Sequence, residues 1–362
     1  MEANGYFTDF LSNIRLDDDT RRACRDAHRD IRRLLAADER LAPAIVATFL
    51  QGSYRRSTII RPEETQLADV DVIVVTRLDE ADYPVPESAM NEFLPFLDEH
   101  YAGSYQLQGR SIGITTGGVS LDLVITSAPS EAESEILAEA DKQMALEEDE
   151  YEADGIFRFK AYLSEARKAK PAWQLEPLRI PDRDAACWKP THPLAQIEWT
   201  ADKNRVCNYC FLKVVRAVKW WRRRQDLPKH PKGYPLEHMI GAVCPDGIES
   251  VALGVTLALE AATETFGPFV LSGTVPFLAD HGVAEHNVLG RISADDFAAF
   301  VQAVQSAART ARSALDSQDL VESIGLWRQL FGEEFPEATG GGPGGFAAPS
   351  GPASPSRGGR FA

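Results

Sequence analysis

Two aspartates, Asp69 and Asp71, stand two residues apart in the apolar run ADVDVIVVT (68–76). In an extended strand that spacing puts both carboxylates on one face with Ile73, while Val70, Val72 and Val74 point the other way into a core. Carboxylates on an otherwise apolar strand are costly unless something cationic lies between them. A third acid, Asp122, interrupts a second apolar run, VSLDLVITS (119–127). If the two strands are neighbours, three carboxylates converge. Hard divalent cations take such oxygen ligands, and two Mg²⁺ can share bridging carboxylates.

Upstream, GSYRRST places Gly52 and Ser53 directly after a strand. A glycine lets the backbone approach a phosphate closely, and a serine hydroxyl beside free N–H groups donates to anionic oxygens. Arg55, Arg56 and Arg61 add local positive charge. Each piece is commonplace singly. The weight comes from their order: Gly-Ser, then the D-x-D pair, then one strand aspartate about 50 residues later. Farther along, Lys213, Arg216, Lys219 and Arg223 recur at helical spacing, opposite a face carrying Val214, Val218 and Trp221. A basic stripe in an acidic protein points to an anionic ligand, and the stem of Lys219 beside Trp220 and Trp221 can be buried with its ammonium aimed at a pocket.

The elements that must position these residues follow from periodicity. A helix is expected over about 19–37, where Ala23, Ala27, Ile31 and Leu34 form a weak apolar stripe. Strands are expected over 44–53 and 68–76, a helical stretch over 87–101, and short strands in SYQLQGR, SIGITT and GVSLDLVIT. From about 192 the pattern turns helical, with helices over 202–226, 235–243, 248–266 and 294–316, the last capped by Ser293.

The 362 residues carry a formal charge of −16, with 44% hydrophobic and 25% charged residues. That is ordinary globular composition with ample length for a core. The charge argues against a long nucleic acid as main partner, since phosphate neutralisation drives such binding. No apolar run is long enough to cross a bilayer, so no membrane association is expected. Five cysteines argue for a reducing, cytoplasmic setting. Cys207-x-x-Cys210 lacks a second pair at zinc spacing and is read as packing on one turn of a helix. Residues 131–154 hold eleven acids against one lysine and read as a solvated connector. From Pro336 onward eight glycines and five prolines predict a disordered tail.

The order Gly-Ser, D-x-D, Asp resembles the DNA polymerase beta-like nucleotidyltransferase superfamily. LRIPDRDAACW (178–188), THPLAQIEWTADKN (191–204), FLKVVRAVKWW (211–221), PKGYPLEHMI (231–240) and WRQLFGEEFP (327–336) sharpen this. From about 50 to 336 the chain resembles a bacterial cGAS/DncV-like nucleotidyltransferase, the CD-NTase family of CBASS anti-phage systems.

The resemblance implies an α+β fold: a nucleotidyltransferase core of mixed sheet and helices (1–190), a helical domain (191–335), an active site in the cleft between them, and the tail (336–362). It implies that Asp69, Asp71 and Asp122 are catalytic and hold two Mg²⁺, with Mn²⁺ as a substitute. Gly52, Ser53 and Lys219 match the triphosphate contacts, and Arg56, Lys203 and Lys232 are further nucleotide-binding candidates. Many members have a serine before the Tyr-x-Leu-Glu segment where this chain has Gly233; Lys232 or backbone N–H groups would substitute. The implied activity is synthesis of a cyclic di- or trinucleotide second messenger from NTPs, ATP first and GTP second. Implied regulators are a ubiquitin-activating-like enzyme that conjugates the C-terminal tail, or HORMA and Trip13-like proteins. The competing activity is template-independent tailing of RNA.

Overall fold

The two apolar runs that carry the aspartates become adjacent central strands, β2 (Ala68–Thr76) and β5 (Val119–Ser127), paired in parallel. In this computed structural model, residues 1–128, 130 and 176–338 are described. The acidic segment 131–154 and the tail beyond 338 lie outside them. β1 (Ile45–Gln51) pairs antiparallel with β2. On the other side β4 (Ile112–Thr116) pairs antiparallel with β5 and carries β3 (Tyr105–Leu107), giving the order β1-β2-β5-β4-β3.

Alternation along β2 divides its side chains as its spacing requires. Val70, Val72 and Val74 join Leu121, Leu123 and Ile125 in a buried cluster. That cluster packs under α2 (Asp18–Ala37), which contributes Cys24, Ala27, Ile31 and Leu35, and under α4 (Pro86–Asn91) and α5 (Leu94–His100). Asp17 caps α2 by accepting from the Thr20 N–H. Arg32 locks that helix to β1 through two 2.9 Å bonds to Thr48. On the opposite face Ile73 and Val75 meet Phe49 and Leu194.

Two strands were not anticipated. β6 (Leu178–Asp182) and β7 (Cys187–Thr191) form an antiparallel hairpin attached to the end of β5 through Ser127 and Arg179. Pro181 and Pro190 lie within them, and proline weakens a strand reading because it removes a ladder donor.

The expected helix 202–226 is two helices. α6 (Pro193–Val206) ends, the chain turns, and α7 (Phe211–Arg223) begins. Asn208 and Tyr209 hold left-handed φ values of 51° and 59°, which no helix continues through. The Asn204 side chain then accepts the Leu212 N–H at 3.2 Å. Cys207 and Cys210 therefore flank this turn instead of sharing a helix turn, and both are buried free thiols. α8 (Tyr234–Val243), α9 (Val251–Leu271), α10 (Ala294–Asp316) and α11 (Leu320–Phe331) follow. Ser293 caps α10 through a 3.1 Å bond from the Asp296 N–H, as its position suggests.

An N-terminal helix, α1 (Asn4–Asn13), was also unforeseen, because only Phe7, Phe10 and Leu11 mark its buried face. It packs into the helical half: the Phe10 ring stacks on Phe331 at 4.6 Å, and Phe7 meets Trp327 edge-on at 4.9 Å. The first residues assigned to the tail are anchored, since Arg328 pairs with Glu337 at 3.2 Å. Among the described residues no helix is long and apolar enough to cross a membrane.

Candidate active site

Parallel pairing puts Asp71 directly beside Asp122 in register, and Asp69 beside Ser120. The three carboxylates converge, with ligand oxygens within 4.8 Å of one another. Asp69 is the most exposed of the three, at the mouth of the site, while Asp71 and Asp122 are half-buried. Gln108 on the neighbouring edge donates to Asp122 at 3.2 Å. Burial, then repulsion from Asp122, pushes the Asp69 carboxyl up to about 6. Burial, then the charges of Asp69 and Asp122, pushes Asp71 up to about 7. Burial raises Asp122 as well. Hard oxygen donors, close spacing and accumulated negative charge fit a divalent cation, which would relieve that repulsion.

β1 delivers the second component. It runs directly into a single helical turn, α3 (Gly52–Arg55). Gly52 has φ +75°, and a Cβ on it would overlap the Asp71 carboxylate. Only glycine satisfies both conditions. The Ser53 carbonyl accepts the Thr58 and Ile59 N–H groups at 2.9 and 3.0 Å, fixing the loop, and Ser53 lines the cavity.

The third component comes from the helical half. Lys219 on α7 gives its ammonium to Glu237 on α8 at 3.0 Å. Arg56 reaches the same carboxylate at 3.2 Å, and the Thr58 hydroxyl donates to it at 2.9 Å. Burial by itself would raise the Glu237 carboxyl. The charges of Lys219 and Arg56, with hydrogen bonds from Lys219 and Thr58, overcome it and hold the group down at about 2. The Arg56 guanidinium also lies 5.0 Å over the Tyr234 ring.

These components enclose a cavity of about 750 Å³ between the sheet edge and the helices. Part of its remaining wall is hydrogen-bonded polar groups, set beside Ile180, Pro190, Val283 and Val288. Gln51 donates to Gln196 at 3.0 Å, and Gln196 donates to Asp280 at 3.1 Å. On the β6–β7 side, Arg110 and Lys189 both contact the buried Asp182 at 2.7 Å. Burial alone would raise Asp182, but those two cations and the Ala185 N–H hold it well below the usual carboxylate range.

Of the residues singled out from sequence, the structure gathers Asp69, Asp71, Asp122, Gly52, Ser53, Arg56 and Lys219. Lys232 lines an adjoining cavity. Gly233 caps α8 with φ +57°, a conformation that disfavours the serine of many family members, although there is open space where a side chain would point. Lys203 requires a correction. Its ammonium is bound to the Cys244 carbonyl at 2.6 Å and the Asp246 carboxylate at 2.7 Å, tying α6 to the end of α8. It lines neither cavity. Glu237 and Asp182 were missed as organising carboxylates. The Tyr-x-Leu-Glu spacing could have flagged Glu237, since Tyr234 and Glu237 share the first turn of one helix.

A family model for the Second Messenger Oligonucleotide or Dinucleotide Synthetase domain matches residues 1–134. The chain is 44% identical to the cyclic AMP-AMP-GMP synthase of Enterobacter hormaechei subsp. hoffmannii (strain UCI 50) over 382 aligned positions, covering 100% of both chains. It is similar to the CD-NTase CdnG of Bradyrhizobium diazoefficiens solved in complex with GTP, with a TM-score of 0.63, 12% identity, and 92% and 96% of the two chains covered. It is also similar to E. coli MS115-1 CdnC in its HORMA-deltaN complex, with a TM-score of 0.58, 14% identity, and 92% and 98% covered.

Proposed function

This chain belongs to the bacterial CD-NTase family of nucleotidyltransferases, and on that premise we propose that it joins ATP and GTP into a cyclic trinucleotide, cyclic AMP-AMP-GMP, releasing pyrophosphate. Its fold is the α+β, polymerase beta-like core expected from the resemblance. The observation that carries the reading is that Asp69 and Asp71, clustered with Asp122, line one cavity together with the Gly52–Ser53 turn and Lys219.

Asp69, Asp71 and Asp122 would hold two divalent ions, Mg²⁺ in the cell with Mn²⁺ as a substitute. Such ions, when bound, supply Lewis-acid activation of an acceptor hydroxyl and charge neutralisation for the leaving group. The protein's own groups bind and align. Gly52 lets the triphosphate approach the carboxylates with no side chain between them. Ser53 donates its hydroxyl to a phosphate oxygen. Lys219 and Arg56, pre-oriented by Glu237, offer positive charge without reorganisation at the moment of reaction. Lys232 stands where a phosphate contact would replace the serine absent at 233. The polar wall of Gln51, Gln196 and Asp280 holds a base by hydrogen bonds. The division at residue 190 would then separate a core that carries Asp69, Asp71 and Asp122 from a helical half that carries Lys219 and Lys232.

The wider role is a second-messenger signal in anti-phage defence. Regulation is by HORMA and Trip13-like proteins, or by conjugation of the C-terminal tail by a ubiquitin-activating-like enzyme.

The test is incubation of purified protein with all four NTPs and Mg²⁺, with and without added RNA, followed by phosphatase treatment and chromatography. A phosphatase-resistant product formed without RNA supports the reading. Label appearing only in lengthened RNA would replace it with the tailing activity.

A further inference from the structure

Between α9 and α10, the segment 279–288 supplies one wall of the cavity through Asp280, Val283, His286 and Asn287 among others. It contains no helix and only one isolated bridge, from Ala279 to Asn287. Backbone bonds fold it on itself: the Asp280 N–H reaches the His286 carbonyl and the Val288 N–H reaches the Leu278 carbonyl, both at 2.9 Å. Its place against the helices therefore depends on side-chain contacts. His281 makes a set of them. The Trp199 ring, on α6, stacks on His281 at 3.5 Å and 14°, and the His238 ring, on α8, stacks on it at 3.7 Å and 23°. The outer two rings are 6.3 Å apart, so the His281 ring lies between them. His238 adds a hydrogen bond, its Nε2 accepting the His281 backbone N–H at 3.2 Å. Tyr234 closes the pile, edge-on to His238 at 4.4 Å. A Cβ on Gly241 of α8 would overlap the Trp199 ring, so a glycine there lets the helix come this close. Burial pushes His238 down to about 3 and His281 down to about 4, which keeps the stack uncharged at neutral pH. The Nε2 of His281 is buried with no hydrogen-bond partner among the described residues, so the ring is held by its faces and not by this nitrogen.

We propose that His281 is a positioning residue for nucleotide binding: held between a ring of α6 and a ring of α8, it fixes the 279–288 wall in place across the cavity. This rests on the reading above that the cavity takes NTPs and that Asp280 belongs to the wall facing a base. His281 does not itself line the cavity. It acts through its neighbour Asp280, which accepts from Gln196 at 3.1 Å and from the Gly282 and Val283 N–H groups at 2.7 and 3.2 Å. A wall that holds the base does so equally before and during transfer. Loosening it costs binding and leaves turnover of the bound nucleotide largely intact.

The test compares His281→Ala with His281→Phe in the full-length protein. Phenylalanine keeps a flat ring between Trp199 and His238, and it keeps the backbone N–H that His238 accepts. Calorimetry with α,β-methylene-ATP and Mg²⁺ measures affinity, product synthesis gives KM and kcat, and hydrogen exchange reads the opening of 279–288. In the alanine variant, analogue affinity is expected to fall and NTP KM to rise about tenfold, with kcat within about twofold of the parent and faster exchange in 279–288. The phenylalanine variant is expected to match the parent in all three. Unchanged affinity and KM in the alanine variant, an equal loss in both variants, or a fall in kcat alone would overturn the proposal. Should the alanine variant not fold, His281→Leu, which fills the space without a flat face, takes its place with the same expected result. Calorimetry and exchange need no turnover, so a parent that makes no cyclic product defeats the synthase reading and still leaves this test decisive.

Discussion

The Cα of Gly52 faces Asp71 so closely that a Cβ added there would overlap the carboxylate. The turn after β1 is thus packed directly against the metal-ligand candidate on β2, and both conditions on residue 52, its φ of +75° and this contact, exclude a side chain.

Gly52→Ala should therefore displace Asp71 as well as strain the backbone. Synthesis is expected to fall about 100-fold, with a stability loss of about 1–3 kcal/mol. Gly233→Ala is the control: it has φ +57° but open space at Cβ, so it carries the strain alone and should retain much more activity. Initial rates and thermal melts of both variants check this.

Asp71→Asn should separate stability from activity. Because the Asp71 carboxyl is pushed up to about 7, the folded chain retains protons that the unfolded chain releases above the ordinary carboxylate range. The cluster's contribution to stability is then present at acidic pH and lost as pH rises through about 7. In metal-free buffer at pH 8 the variant should melt about 3 °C higher than the parent, with the gap closing toward pH 4. The variant should also have lost synthesis. For the parent, Mn²⁺ binding followed by calorimetry should weaken as pH falls below 7, since protons and metal compete for the same oxygens.

Glu237 has the opposite sign. Its carboxyl is held at about 2, so its contribution to stability is present above the ordinary carboxylate range and lost as pH falls through 2. Glu237→Ala leaves Lys219 and Arg56 buried without their counter-ion and should cost about 3–5 kcal/mol. Glu237→Gln keeps the acceptor oxygen and should cost less, while raising NTP KM because the two cations lose their orientation. Denaturant midpoints and steady-state kinetics distinguish the two effects.

The carboxylate site was legible because a period-two strand leaves little freedom. Once Asp69, Asp71 and Asp122 stand on apolar strands, parallel pairing of those strands brings them together. The neutralising carboxylates were not legible. Asp182 and Glu237 each take one of their cations from far along the chain, Arg110 at 72 residues and Arg56 at 181, and no local pattern encodes such distances. The break at 207–210 was hidden for a related reason. Apolar residues continue at helical spacing across it, and the turn is held by tertiary bonds such as that from Asn208 to the Ile248 carbonyl.

Lys203 and Lys219 test the same distinction. Both are lysines on helices of the same half, but one is bound to Asp246 at the rim of α8 and the other faces the cavity. Lys203→Ala should leave kcat/KM within about twofold and cost about 1 kcal/mol. Lys219→Ala should lower kcat/KM about 100-fold. Parallel kinetics on the two variants check the assignment.

The most direct measurement is the mass of the phosphatase-resistant product formed from ATP and GTP by the parent protein and by Asp71→Asn. A cyclic species with two adenosine and one guanosine monophosphate units is expected from the parent and none from the variant. A product of equal yield from both proteins, or nucleotides incorporated only into added RNA, would contradict it.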